Sequence, residues 1–439
     1  MTGPSATPLL SAQATPESAS QRLVIAFLIT GLLFLLLPGT FLGVWNLIGI
    51  SSAHALASIS PASLQAHGHA QVFGWVGSFI LGIGFYSLTK MGSLRHFPVR
   101  SGWTSWIAWT AGVLLRWVAG VTAWHWRVLL PASGLLELFG FLLFWLAVRR
   151  HRPAPQASST PARGTPAWML AVVFGTIALF LVLAAQCAVL FYVARSAPTP
   201  ALSHVLDQQL VVLAAWGVLV PTIWGFNARW LPVFAGLKDP DGRLLLVACL
   251  LAALGILAVF AQWLNLAAAL FLLASTFSIL ALHIWEPAIR PAKTQNIHSS
   301  FSFFLRVSYA WLVLSCLLNL WAVLADQHGG IWGASRHALT VGFVAGMVFT
   351  IGPRILPAFC GMRTLFRPSW MFASLLLLHA GCALRVTLEP LAYEHLWAGA
   401  WKLLPVSAFL ELSAVAVFAA NLYATLARPP APIVHRQAA

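Results

Sequence analysis

Two histidines, His67 and His69, stand at the mouth of a long apolar run that begins Ala66-His67-Gly68-His69-Ala70-Gln71-Val72-Phe73-Gly74. Ionisable groups entering a membrane helix are costly and usually functional. Imidazole is also the side chain best suited to ligate haem iron or copper. On a helix, positions two apart point about 200° apart around the axis. The spacing therefore argues against one metal taking both, and for each serving a different neighbour. The plain alternative is that both histidines cap a helix and bond backbone groups.

A second copy of the pattern lies far downstream. With His69 over His337, His-Ala repeats, and Gly74 meets Gly342, Val76 meets Val344, Ile83 meets Ile351 and Gly84 meets Gly352. A third element joins through its end, because Arg229-Trp-Leu-Pro-Val-Phe-Ala-Gly matches Arg354-Ile-Leu-Pro-Ala-Phe-Cys-Gly. In that register Gly217 coincides with Gly342, and Val212 takes the histidine position. Such repeats constrain the whole fold. His69 and His337 then sit at equal depth on two related helices, the arrangement that axial ligation of a b-type haem requires. His67 points away from that pair and is available to a second metal with His54, His125 or His204. The absence of nearby thiolates and carboxylates favours copper there. Five scattered cysteines form no C-x-x-C-H, so any haem is held non-covalently. Arg336 beside His337, Arg127, and Arg116 inside an apolar run are placed to neutralise haem propionates. For Arg116, snorkelling or pairing with an acid is the alternative.

The elements that must position these residues are membrane helices. The chain is 60% hydrophobic and 8% charged over 439 residues, which excludes a soluble domain and implies a polytopic all-α membrane protein. Twelve apolar spans are expected, near 22–50, 66–89, 103–123, 127–149, 167–194, 204–228, 243–261, 263–285, 301–324, 336–357, 369–388 and 396–427. With the repeat on every fourth helix, they form a quasi-threefold bundle of three sets of four. Of the 25 Lys and Arg, 19 collect in alternate connections, which places both termini in the cytoplasm. The net charge of +15 is thus a topology signal and not a nucleic-acid footprint. Residues 1–21 are expected to be a disordered tail, 150–166 a flexible cytoplasmic linker within the 22–427 membrane domain, and 428–439 a C-terminal tail. Glu137, Glu411 and His379 fall deep in spans, where a carboxylate must be protonated or paired; a buried structural pair or a proton path are the two readings.

His67-Gly-His69 opening the second span, and Arg336-His337-Ala-Leu-Thr-Val-Gly-Phe with Pro353-Arg354 in the tenth, resemble the NnrS family of bacterial haem–copper membrane proteins. The twelve spans also resemble the plan of haem–copper oxidase subunit I. The resemblance implies bound haem b and copper and a role with nitric oxide or nitrosative stress in the bacterial inner membrane. It leaves the electron donor unnamed. Two departures stand out. The acidic residue that follows His-x-His in the family is here Ala70-Gln71, and the seventh span has no histidine. A binuclear oxygen-reducing centre, and proton pumping with it, are therefore not expected. A haem-free secondary transporter is the competing reading, since repeated helices also mark that class.

Overall fold

The computed structural model describes residues 16–91, 99–150, 166–293, 296–361 and 363–428. The expected linker and C-terminal tail fall almost wholly outside these residues, as does the N-terminal tail up to residue 15. Residues 16–21 are already helical. Pro16 opens that helix, in keeping with the preference of proline for a first turn whose N–H groups have no acceptor.

No strand occurs among the described residues, which form long helices: α1 (16–53), α2 (61–91), α3 (Val99–Thr122), α4 (Trp126–Arg150), α5 (Ala167–Ser196), α6 (His204–Phe234), α7 (Gly242–Phe260), α8 (Leu264–Leu282), α9 (Phe301–Ala325), α10 (Gly330–Phe359), α11 (Pro368–Tyr393) and α12 (Ala400–Ala427). Eleven are long and apolar enough to cross a membrane. The exception is α3, which is long enough but carries Arg100, Arg116, four tryptophans and several hydroxyls. Local chemistry sets the ends. Pro61 and Pro368 begin α2 and α11. Asp241 caps α7 by accepting from the N–H groups of Arg243 at 2.8 Å and Leu244 at 3.2 Å. Those two bonds hold its carboxyl below the usual range.

Neighbours in sequence are neighbours in space. The tightest pairs are α3 with α4, α7 with α8 and α11 with α12, while α1, α5 and α9 pack on α2, α6 and α10. The junctions α4 to α5 and α8 to α9 are matched by α12 packing back on α1. Small residues let these backbones approach. Gly74, Gly217 and Gly342, which the repeat equates, abut Phe34 of α1, Ala178 of α5 and Trp311 of α9.

Four helices contain a π-helical stretch: Leu35–Phe41 in α1, Ala70–Gly77 in α2, Leu213–Leu219 in α6 and Ala338–Ala345 in α10. The last three fall on the positions that the two sequence registers equate. A wide turn loosens the usual ladder and frees carbonyls for side chains. His67 Nδ1 lies 2.8 Å from Gly39 O, Trp109 Nε1 donates to Phe73 O at 3.2 Å, and Cys382 Sγ lies 3.7 Å from His337 O. At the other end of the same helices, Arg354 stacks over Phe234 at 4.9 Å and Tyr86 meets Phe359 at 5.2 Å. In the repeat, Tyr86 stands where Arg354 does, so the residue at this position twice packs on the phenylalanine position of another copy.

A side chain at Gly342 would fall on the Trp311 indole, with a Cβ 2.5 Å from Cγ, whereas nothing lies within 4 Å of one at Gly68. Gly342→Val is expected to cost about 1–3 kcal/mol by overpacking, and Gly68→Ala to be neutral or stabilising by up to about 1 kcal/mol. Thermal unfolding of the detergent-solubilised variants checks the contrast.

Candidate functional site

The π-helical stretches place the histidines. His67 and His69 lie at the end of the α-helical turn before Ala70–Gly77 and diverge as their spacing requires. His67 turns to α1, with Nδ1 on Gly39 O; a side chain at Gly43 would collide with its ring. His69 turns to α4, where Nε2 lies 3.0 Å from Glu137 Oε1, and its ring stacks on Phe73 at 4.7 Å. Glu137 is fully buried and accepts a second hydrogen bond from Gln186 Nε2 at 3.4 Å. His337 turns to α11. Its Nδ1 is 3.0 Å from Gly333 O and 3.2 Å from Glu389 Oε2. Arg385 donates to the same carboxylate through Nε at 3.1 Å and Nη2 at 3.3 Å.

Partner chemistry fixes the tautomers. A carbonyl oxygen only accepts, so Nδ1 carries the proton in His67 and His337, and in the neutral ring Nε2 offers a lone pair. Neither Nε2 has a protein partner among the described residues. Both rings share one electrostatic neighbourhood with Arg385. His379 is the reverse case. Trp311 donates to its Nδ1 at 3.1 Å, so its buried Nε2 carries the proton and is a donor without a partner. His67 and His337 thus each keep a free Nε2 among the described residues, while His69 is committed to Glu137.

The remaining candidates are dispersed. His54 is exposed in a left-handed turn (φ 52°) and stacks on Trp401, and His125 is exposed beside Trp124. His204 and Arg336 lie in the field of Asp207, together with Arg116. Arg127 donates to Ala194 O and Ala197 O. No group of three or more His, Cys, Asp or Glu able to hold a metal ion occurs among the described residues. Outside the spans, burial pushes the Glu394 carboxyl up, but hydrogen bonds from His328 outweigh it and hold the group below its usual range.

Three functional residues reveal a repeat that the histidine registers do not cover. Leu129-Leu-Pro-Ala-Ser-Gly-Leu-Leu-Glu137-Leu in α4 matches Leu403-Leu-Pro-Val-Ser-Ala-Phe-Leu-Glu411-Leu in α12. Ala111-Gly112-Val-Leu-Leu-Arg116 in α3 matches Ala380-Gly381-Cys-Ala-Leu-Arg385 in α11. Contacts agree with the alignment. A side chain at Gly112 would meet Glu137 Cγ, Glu137 N and Ser133 O, and one at Gly381 would meet Glu411 Cγ, Glu411 N and Ser407 O. Two equivalent constellations follow, His69/Arg116/Glu137 and His337/Arg385/Glu411. The intervening set of helices carries Val212 at the histidine position, and Gly255 packs there on Phe271. Glu137 and Glu411 do not pair with each other. Glu137 is satisfied by His69, and Oε1 of Glu411 has no partner.

Residues 212–424, from α6 into α12, match the model of a family described as a domain of unknown function, DUF8744. No curated protein matches the chain.

Removing one member of a buried ion pair strands the other, at a cost of about 3–5 kcal/mol. Arg385→Met is expected to destabilise by that amount, and Arg385→Met with Glu389→Leu to recover most of it. A double-mutant cycle on thermal unfolding reads the coupling, and additive effects would show that the two residues do not interact.

Proposed function

We propose that the chain is a multi-pass haem protein of the bacterial inner membrane, of NnrS type, that binds haem b through His67 and His337 and meets nitric oxide or its products from the outer side. One observation carries the reading. These two imidazoles, on α2 and α10, present the same tautomer. Each has Nδ1–H tied to a backbone carbonyl and Nε2 free. That outer hydrogen bond is what orients an imidazole and raises its basicity as an iron ligand.

The architecture proposed with it counts α3 as a span, giving twelve in three sets of four with both termini cytoplasmic. Support comes from the coincident π-helical stretches, the equivalent glycine seats, the closure of α12 on α1 and the Lys/Arg asymmetry of the connections. Haem would supply redox chemistry and a site for diatomic ligands. The chain's own part is to hold the two ring orientations through Gly39, Gly333 and Glu389, and to balance Glu389 with Arg385. The packing is otherwise tight, with a gap of only about 10 Å³ between α2, α5 and α6. Seating a macrocycle thus requires the outer ends of α2 and α10 to part. Copper enters through the family resemblance alone. A second reading, an ion-coupled transporter, is favoured by the duplicated His–Arg–Glu constellations, since ionisable clusters in membranes also serve as proton relays.

A reduced-minus-oxidised visible spectrum with metal analysis, on protein purified from haem-replete cells, separates the two. The expected result is a b-type spectrum that His67→Ala and His337→Ala each abolish or shift to high spin, and that His69→Ala leaves in place. A colourless, metal-free protein overturns the haem reading and directs the work to transport assays.

A further inference from the structure

The two His–Arg–Glu constellations differ in how the arginine is satisfied, and that difference describes a ligand. In the α10–α12 copy, Arg385 is satisfied in bidentate fashion by the Glu389 carboxylate. That carboxylate lies in the space left by Gly333, where an added Cβ would collide with it. In the α2–α4 copy, Arg116 takes the place of Arg385, Gly120 that of Glu389 and Gln65 that of Gly333. The carboxylate is missing. Gln65 does not replace it, because its amide is engaged with the α5–α6 connection: Nε2 donates to Leu202 O at 3.0 Å, and Oε1 accepts from Leu202 N at 2.9 Å. Arg116 is left 6% exposed, with Nη1 buried and unpartnered, facing a cleft lined by Gln65, Ala66, Gly120, Leu130 and Pro200 that is closed to a water-sized molecule, so that a ligand enters only as Gln65 releases Leu202. A buried guanidinium donor without an acceptor is expensive.

We propose that this cleft, on the outer side between α2, α3 and the α5–α6 connection, binds a small planar oxyanion of carboxylate type against Nη1 of Arg116, in the role that the Glu389 carboxylate plays for Arg385 in the other copy. The fork of a guanidinium matches two oxygens of such an anion. The copy in α10–α12 shows that this bundle accommodates the pairing. The anion is expected to approach under the α5–α6 connection at Pro200. Charges around Arg116 are limited to Glu137, which is already paired with His69, and Asp207, which also lies in the field of Arg336 and His204. Asp207 sets the upper limit on affinity, and its side chain turning onto Arg116 is the one internal way to satisfy Nη1. The proposal does not depend on the haem reading.

Formate, acetate and nitrite are the probes, titrated into the detergent-purified full chain at constant ionic strength with chloride as the reference anion. Anything that binds only the folded state raises its unfolding temperature in a saturable way. A saturable rise of a few degrees is expected with the planar oxyanions and not with chloride. Arg116→Gln should abolish it, Arg116→Lys should weaken it by losing the fork, and Arg127→Gln, at the surface, should retain it. Running the titration on haem-depleted and haem-replete protein distinguishes the sources. A response confined to haem-depleted protein means that a carboxylate of the bound group occupies the cleft, whereas a response in both means a free anion does. No response in wild type from either source, or an equal response in Arg116→Gln, overturns the proposal and leaves Asp207 as the partner of Arg116.

Discussion

A charge inside a membrane bundle is costly unless the same bundle supplies its counter-charge, because lipid will not. The polar interior of this protein follows from that constraint. Glu137 of α4 is held by His69 of α2, and Glu389 by Arg385 one turn away and by His337 of α10. Each pairing fixes the rotation of a helix, because a turn of either partner strands a charge. The glycines at 112, 333 and 381 follow from the same demand, since a carboxylate reaches its partner only where the facing backbone has no side chain.

Much of this was legible in sequence. Apolar runs located the helices, and the divergence of His67 and His69 followed from helical spacing alone. The register of His69 on His337, and of Arg229 on Arg354, equates the three helices in which wide turns fall at matching positions, although neither register announces a widened backbone. What was not legible is which acceptor each imidazole chooses. Gly39 O accepts from His67 in addition to Leu42 N–H where the α1 backbone widens at Leu35–Phe41, and nothing in that sequence except Pro38 announces it. The pairing of Glu137 with His69 was missed for a different reason. The Leu-Leu-Pro-x-Ser-x-x-Leu-Glu repeat that locates it was present in the sequence, but it links α4 with α12, where no histidine draws attention. The expected span at 103–123 is a helix, α3, but its tryptophans and buried Arg116 lower its apolar character below that of the eleven others, while Ser105, Trp109 and Gly112 pack inside.

The middle set of helices separates what the fold requires from what function has added. Its wide turn, Leu213–Leu219, is fully buried and apolar, and its histidine position is Val212. No side-chain ligand needs that turn. The wide turns therefore belong to the repeated fold itself, and are not distortions produced by the polar clusters. In the outer two sets, polar side chains exploit a backbone that is already widened: Trp109 takes Phe73 O and Cys382 lies on His337 O. Placing a histidine immediately before such a turn, as at 69 and 337, sets it where the helix is least regular. The same substitution at 212 would face only apolar neighbours, with Phe271 where the other sets carry a glutamate. The outer sets thus differ from the middle one in the histidine before the wide turn, in the arginine one helix further on and in the acid two helices further on.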